Sequence, residues 1–413
     1  MATEVIVRPA MMQFAPILSA LRRHRLATAL IALEIALACA VLCNACFLIV
    51  GQLRALHIES GVAESSLAVI SLGCDGCKGA DLNARVTTAL RAVPGVQSVA
   101  VVNAVPFAQP MGYAGVSLDH EHFIAVPHFY AGGPGAVETL GLQLVAGRAF
   151  QPEDFQTAEL WLPQNPSVWI TRAFAERLWP GQDPLGKEFF SDQYHFRVIG
   201  VMAHLTPPDP GGGHGDSAGE WSVFVPVNPG ASLNGVYAVR ANPADLPRVL
   251  REARDAAQKA APEAVLDLQQ SRTVPELRSD FFRQTRIMVG TLAGVIVALL
   301  MVTALGIVGL ASFWVQQRRK QIGIRRAIGA TRGDILHYFQ AENFLIVTVG
   351  IAIGMVLTFA LNLVLMKFYE VPRLPVYYLP MGALVLWGLG QLSVLAPALR
   401  ASQVPPMVAT RSV

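Results

Sequence analysis

Residues Gly306 to Gly354 read GIVGLASFWVQQRRKQIGIRRAIGATRGDILHYFQAENFLIVTVGIAIG. An apolar run ends in the basic cluster Arg318, Arg319 and Lys320, a glycine-punctuated segment follows, and a second apolar run begins near Phe344. Within the segment Ile322, Ile324, Ala327, Ile328, Ile335 and Leu336 can form an apolar side, and Arg325, Arg326 and Arg332 supply charge. Gly323, Gly329 and Gly333 permit close approach or a sharp turn. A short amphipathic helix of this kind either inserts into a groove of a partner protein or rests on anionic lipid.

The flanking apolar runs extend the argument to the whole chain. Its 413 residues are 53% hydrophobic and only 15% charged, where a soluble domain usually carries about 25% charge. That shortfall argues against a purely soluble enzyme, and the Pro-, Gly- and charge-rich middle excludes a membrane bundle throughout. A bilayer span needs roughly 20 apolar residues. Four stretches qualify, at 26–50, 287–315, 344–366 and 381–399, the last with Pro397 near its end. The first has a basic front (Arg22, Arg23, His24, Arg25) and an Ala38-Cys39-Ala40 that resembles a cleavage site. Its apolar run outlasts the roughly 7–15 residues of a signal core, so an uncleaved anchor is expected.

Charge sets the orientation. Residues 51–286 carry 18 Lys and Arg against 24 Asp and Glu, a net −6, while the remainder carries 14 against 5, a net +9. Basic residues flanking spans mark the cytoplasmic side. Arg22, Arg23 and Arg25, the basic 316–343 segment, and Arg400 with Arg411 then all lie inside, with both termini. The expected architecture is an α-helical membrane protein with four transmembrane helices and a large α/β extracytoplasmic domain inserted between helices 1 and 2. In order, it has a cytoplasmic N-terminus (1–25), helix 1 (26–50), the outer domain (51–286) and helix 2 (287–315). A cytoplasmic segment (316–343), helix 3 (344–366), a short outer loop (367–380), helix 4 (381–399) and a cytoplasmic C-terminus (400–413) follow.

In the outer domain, β-branched runs predict strands at 67–72, 96–103, 168–171, 196–202, 222–227 and 236–240. Periodicity near 3.6 predicts helices at 82–92, 172–178, 246–260 and 274–285, with Asp81 and Thr171 as candidate caps. Pro94-Gly95 and Pro180-Gly181 mark turns. Leu205 to Trp221, LTPPDPGGGHGDSAGEW, reads as a loop too polar and too rich in Gly and Pro to pack. Cys74 and Cys77 form C-x-x-C, for which a structural disulfide is the first reading, with free thiols and metal or redox chemistry as alternatives. Cys39, Cys43 and Cys46 lie inside helix 1 and suit helix packing. His120 and His122 would share a face of a strand at 119–124, as a metal pair does, but exposed polar alternation explains the pattern equally well. Glu34, well inside a span, should face protein, where helix packing, an interfacial position or a proton relay would use it. No G-x-x-x-x-G-K-[ST], G-x-S-x-G or H-E-x-x-H occurs, so an ATP-binding loop and the common hydrolase motifs are missing from the chain. Nothing suggests binding to nucleic acid.

The opening stretch resembles the permease domain of the MacB/FtsX-like ABC transporter family, in which a basic helix end leads into E-I-G-[IL]-[RK]-[RK]-A-[LI]-G-A. The matching residues are Gln321, Ile322, Gly323, Ile324, Arg325, Arg326, Ala327, Ile328, Gly329 and Ala330, with Glu342 as the later glutamate. Gln321 stands where the family usually has an acid, so an ion pair made by that acid would be lost. Glu138-Thr139-Leu140-Gly141 with Gly147-Arg148-Ala149-Phe150 is similar to the family's outer-domain pattern. So are Val168 to Thr171, Phe174 to Lys187 and Val198 to Val201, and Ala401 to Arg411, with Pro405-Pro406, resembles its terminus.

The resemblance implies a non-catalytic permease subunit that works as a dimer, with a second copy or a paralogue. Its outer α/β domain would have a core subdomain and an inserted one. It implies a bacterial inner-membrane location and a cytoplasmic ABC ATPase that docks on the 316–343 segment. About 25 residues precede helix 1, so the ATPase, with its ATP and Mg, is expected on a separate chain. Mechanotransmission is the expected function: ATP-driven motion reaches the outer domain and drives export of peptides, drugs or envelope substrates, with a periplasmic adaptor as a further partner. The alternatives are an FtsX-type regulator relaying ATPase state to an envelope enzyme, or a membrane-anchored sensor.

Overall fold

The computed structural model describes residues 25–74, 76–109, 112–119, 121–158, 161–210, 220–369 and 372–403. Arg22, Arg23 and His24, His120, Arg411, the middle of the 205–221 loop and the terminal Pro405-Pro406 lie outside the described residues. The chain divides into two compact units, one of Ala55–Arg286 and the other of the residues before and after it.

The second of these is helical. Helices α1 (Arg25–Leu56), α7 (Arg283–Gln317), α9 (Arg332–Tyr369) and α10 (Tyr378–Ser402) are each long and apolar enough to span a bilayer. The shortest, at 25 residues, rises about 37 Å against a hydrocarbon core of about 30 Å. Each helix overruns the apolar run from which it was read, because backbone hydrogen bonding continues beyond the hydrocarbon. Helix α1 turns Ile31, Ile35, Cys39 and Leu42 inward and leaves Leu26, Leu30, Leu33 and Leu37 exposed, two faces of one helical period. Glycines let it approach closely. A side chain at Gly350 or Gly354 of α9 would strike Ile35 or Cys39, and one at Gly382 of α10 would lie 2.5 Å from Cys43 Sγ. Asn44, buried in α1, donates to the carbonyls of Ala40 and, at 3.2 Å, Thr358.

In the outer unit, strands β1 (Leu67–Gly73), β2 (Val96–Val101), β11 (Val236–Ala241) and β12 (Val265–Leu266) form an antiparallel sheet in the order β12-β1-β11-β2. Helices α2 (Gly79–Arg91) and α5 (Leu246–Ala260) pack on one face, burying Leu82, Val86 and Leu90 against Val249, Leu250 and Ala253. The other face, with Leu67, Val69, Ala100 and Ala238, meets Phe107, Leu277 and Phe282. Covered on both sides, β1 is an apolar run rather than an alternation.

Between β2 and β11 the chain builds a second sheet of eight strands. They are β3 (Val116–Ser117), β4 (Phe123–Ala125), β5 (His128–Gly132), β6 (Leu144–Gly147), β7 (Ser167–Thr171), β8 (Glu188–Ser191), β9 (Tyr194–Met202) and β10 (Ser222–Pro226). The order is β4-β3-β8-β9-β7-β10-β5, with β6 also paired to β9. Helix α3 (Ala136–Leu140) packs on β2 and β11 of the first sheet, α4 (Arg172–Leu178) packs on β7 and β9 of the second, and α6 (Val274–Phe281) follows the first sheet. The insertion of one sheet within the other is thus present.

Several local expectations are corrected. Helix α2 starts at Gly79, so Asp81 lies in its first turn and pairs with Arg85 instead of capping. Thr171 occupies the N-cap position of α4, but its hydroxyl is taken by the Glu220 carbonyl and the Ser222 amide across the sheet. The 205–221 loop packs at its start. Leu205 to Pro208 are buried, and the Thr206 carbonyl accepts from Tyr130 Oη at 2.6 Å. In place of a strand over 119–124, the Asp119 carboxylate accepts from the amides of Glu121 and His122 and from the His122 ring. These bonds hold its carboxyl down at about 2. The short strands β3, β4, β5, β6, β8 and β12 were not legible from periodicity.

Two polar contacts hold the unit's loops. Arg278 of α6 binds Glu64 at 2.6 Å, donates to the carbonyls of Leu56 and Ile58, and lies over the rings of Phe107 and Phe282. It fastens the domain's first residues to its last helix. Arg148 grips Asp154 through two bonds of 2.6 and 2.8 Å, and Asp154 also accepts the Gln151 amide. Arg148 holds the Asp154 carboxyl below its ordinary 3.8, with the Gln151 bond helping and burial opposing.

Arg278→Ala is expected to cost about 2–3 kcal/mol, seen as a lower melting temperature and faster hydrogen exchange at residues 56–66. Unchanged exchange there would mean that packing alone holds the entry. The depressed Asp154 value sets an acid dependence. The bond contributes fully above the unfolded value and is lost as pH falls through the lower folded one. Melting from about pH 6 to about pH 3 should therefore decline, and Asp154→Asn should start lower and lose less with acid.

Candidate functional site

The segment that joins α7 to α9 is built by two capping motifs. Helix α8 (Arg319–Ala327) ends where Gly329 takes φ +108°. The Gly329 amide bonds the Arg326 carbonyl, and the Ala330 amide reaches back to Arg325. That double closure is a Schellman motif, and it needs a residue that tolerates a left-handed backbone. One residue later Thr331 opens α9. Its hydroxyl accepts the Asp334 amide, and the Asp334 carboxylate accepts the Thr331 amide at 2.9 Å, a reciprocal capping box. The 316–343 stretch is therefore a short helix, a fixed turn and the first three turns of the third long helix.

The apolar residues of this stretch do not share one side. Ile322 is only 5% exposed and joins Val315, Ile335, Phe339, Ala398 and Ala401 in a small core. Ile324, Ala327 and Ile328 face outward, with Ile328 81% exposed. The seven-residue span from Ile322 to Ile328 covers two turns, so residues two apart lie on opposite faces. The exposed ridge is flanked by Arg319, Lys320 and Arg325.

An ion pair, a hydrogen bond and a ring contact tie the short helix to its neighbours. Arg318 forms two bonds with Glu342, at 2.8 and 3.1 Å, in a site where Glu342 is nearly inaccessible, and its guanidinium lies over Trp314. Arg326 donates to the Ser402 carbonyl at the end of α10. Arg325 stacks over Tyr338, 4.8 Å from the ring centre. Asn343, one residue after Glu342, donates to the Gly390 carbonyl and joins α9 to α10. Arg318, Arg325, Tyr338 and Asp334 line a recess of about 150 Å³ together with Gln321. Gln321 itself makes no side-chain hydrogen bond among the described residues. Gly323 is buried against the small core side of α8.

The remaining sequence candidates lie elsewhere. Glu34 is half-buried on α1 and points at α7, where a side chain on Gly306 would meet its Oε2 at 2.7 Å. Cys74 and Cys77 are joined in a disulfide just before α2, with Cα atoms 5.7 Å apart. His128 is buried in β5 between Tyr113 and Tyr130. Arg318 was read only as part of a basic cluster, and Thr331, Asp334 and Asn343 were not singled out from sequence, though the T-x-x-D spacing before an apolar run is a readable capping signal.

Comparison with known families places both halves of the chain. The model of the MacB-like periplasmic core domain matches residues 28–256, and that of the FtsX-like permease C-terminal domain matches residues 293–406. The chain belongs to the MacB/FtsX-like permease family. Among its relatives is the macrolide export ATP-binding/permease protein MacB of Neisseria meningitidis, 27% identical over 274 residues, covering 64% of this chain and 40% of that protein. The uncharacterized ABC transporter permease YknZ of Bacillus subtilis is 26% identical over 230 residues, 53% of each chain. The chain therefore matches well under two thirds of the length of these relatives. The crystal structure of the extracellular domain of a YknZ from Gram-positive bacteria aligns with 49% of this chain and 99% of its own, at 16% identity and a TM-score of 0.34.

For this MacB/FtsX-like chain, Glu342→Ala should destabilise the helical unit by about 3 kcal/mol, because it strands a largely buried guanidinium. Arg318→Ala with Glu342→Ala should cost less than the two single changes added together. Thermal melting of the four variants in one lipid nanodisc forms the cycle, and strict additivity would show that the pair does not interact.

Proposed function

We propose that this chain is the permease subunit of an ABC transporter and that α8 is where a separate cytoplasmic ATPase docks. The observation that carries the reading is the outward ridge of Ile324, Ala327 and Ile328 on a helix fixed at both ends. An exposed apolar ridge rimmed by cations is the form in which one helix enters a groove on another protein. The contacts behind it favour transmission over simple anchoring. Arg318–Glu342 links α8 to α9, and Arg326–Ser402 links it to α10, so a push on the ridge moves two long helices together.

In this reading the ATPase holds ATP and Mg, the permease works as a dimer with a second copy or a paralogue, and both termini lie in the cytoplasm. The spans carry almost no charge, which suits motion passed to the periplasmic domain better than a hydrophilic path through the bilayer. Peptides, drugs or envelope substrates would be the cargo, handed to a periplasmic adaptor where one is present.

Reconstitution with the cognate ATPase provides the test. Ile324→Asp and Ile328→Asp should each weaken complex formation and ATPase stimulation about tenfold or more. Because both residues are exposed, melting temperature should hold, whereas Ile322→Asp should unfold the segment. If the ridge variants keep the complex but lose binding to anionic lipid vesicles, α8 is a lipid-facing element and the docking reading fails.

A further inference from the structure

Between α3 and the loop that follows β6, the periplasmic domain opens a cleft of about 340 Å³, within the range of small-molecule sites. Its walls are aromatic. Phe150 stacks on Trp169 with ring centres 4.7 Å apart and planes 18° from parallel, and Phe155 meets Phe150 edge-on at 6.2 Å. Val137 and Asn228 complete the lining used here.

These walls are held before any ligand arrives. The Trp169 indole donates to the Arg148 carbonyl at 3.0 Å, and Asn228 donates to the Phe155 carbonyl at 2.9 Å. The Arg148–Asp154 pair clamps the loop that presents Phe150 and Phe155. A preformed aromatic surface loses little conformational entropy on binding.

One charged residue lines the cleft, and it is an acid. Glu138 of α3 is exposed, and its carboxylate makes no hydrogen bond or ion pair among the described residues. Its main-chain carbonyl is occupied by Arg240 at 2.7 Å, and Glu138, Pro134 and Gly135 also line an adjoining depression that holds Arg91, which forms no ion pair with the Glu138 carboxylate. Asp154 is already neutralised by Arg148. The free carboxylate at the rim therefore selects the sign of a ligand whose body lies against the rings.

We propose that this cleft binds amphipathic organic cations, with the apolar body against Phe150 and Phe155, which Trp169 backs, and the cationic head at Glu138. Aromatic faces attract cations through their quadrupole, and the carboxylate adds to the same preference. Binding there needs neither nucleotide nor an ATPase, so it stands or falls apart from the docking of α8.

The test uses the full chain in lipid nanodiscs, with empty nanodiscs as the reference, and follows tryptophan fluorescence. The probes are 4-phenylbutyltrimethylammonium and 4-phenylbutanesulfonate, similar in body and opposite in charge. The ammonium should bind about fivefold more tightly than the sulfonate, the combined effect of an exposed ion pair and a cation–π contact. Glu138→Gln should bring that ratio close to one without moving the melting temperature. Phe155→Ala should weaken both probes about fivefold or more. Equal binding of the two probes, a preference that survives Glu138→Gln, or no saturable signal would each overturn the proposal.

Discussion

A domain inserted between two membrane helices has to begin and end at neighbouring points. In the periplasmic domain that closure is made by Arg278. One guanidinium takes the Glu64 carboxylate and the carbonyls of Leu56 and Ile58, and the rings of Phe107 and Phe282 cover its faces. The residues it joins are more than 200 positions apart in sequence. Closing so long a loop costs entropy, and the four-stranded sheet recovers it by pairing β1 with β11 and β12 from the returning chain. The second sheet can then be an insertion, because the first sheet already brings its two ends together.

The permease half solves a different problem. Its long helices have little hydrophobic reason to choose one another in lipid, so they associate through shape and a few buried polar bonds. Gly350, Gly354 and Gly382 let backbones approach, and Asn44 and Asn343 bond across helices. Where the helices leave the apolar layer, the buried Arg318–Glu342 pair takes over. The family's I-G-x-R-R-A-x-G-A pattern has a direct physical account in this chain. Ile322 is the core contact, Gly329 and Ala330 make the Schellman closure, Arg325 and Arg326 stack and bond backward, and the alternate apolar positions are left outside.

That account also puts Gln321 in context. It sits in the recess with Arg318 and Arg325, where the acid usual in the family would have arginines on hand. Arg318 meets Glu342 from the next helix instead. In this chain the charge that holds the segment comes from α9.

The sequence by itself determined the architecture: the apolar runs count the spans, and composition marks the inserted domain as soluble in character. Periodicity also found the longer strands and helices, since each has enough residues for its pattern to show. It could not find two- to four-residue strands such as β3, β4 and β12, whose pairing comes from distant partners. Nor could it assign Thr171, read as a helix cap, because a hydroxyl with several acceptors in reach goes to whichever the sheet presents. Only the tertiary structure decided which apolar residues of the 316–343 segment face out. Ile322 and Ile328 are alike as residues, and what separates them is that α9 and α10 cover one and leave the other bare. The aromatic cleft belongs to the same class. Glu138, Phe150, Phe155 and Trp169 come from three separate stretches, and only the packing of the two sheets gathers them into one surface.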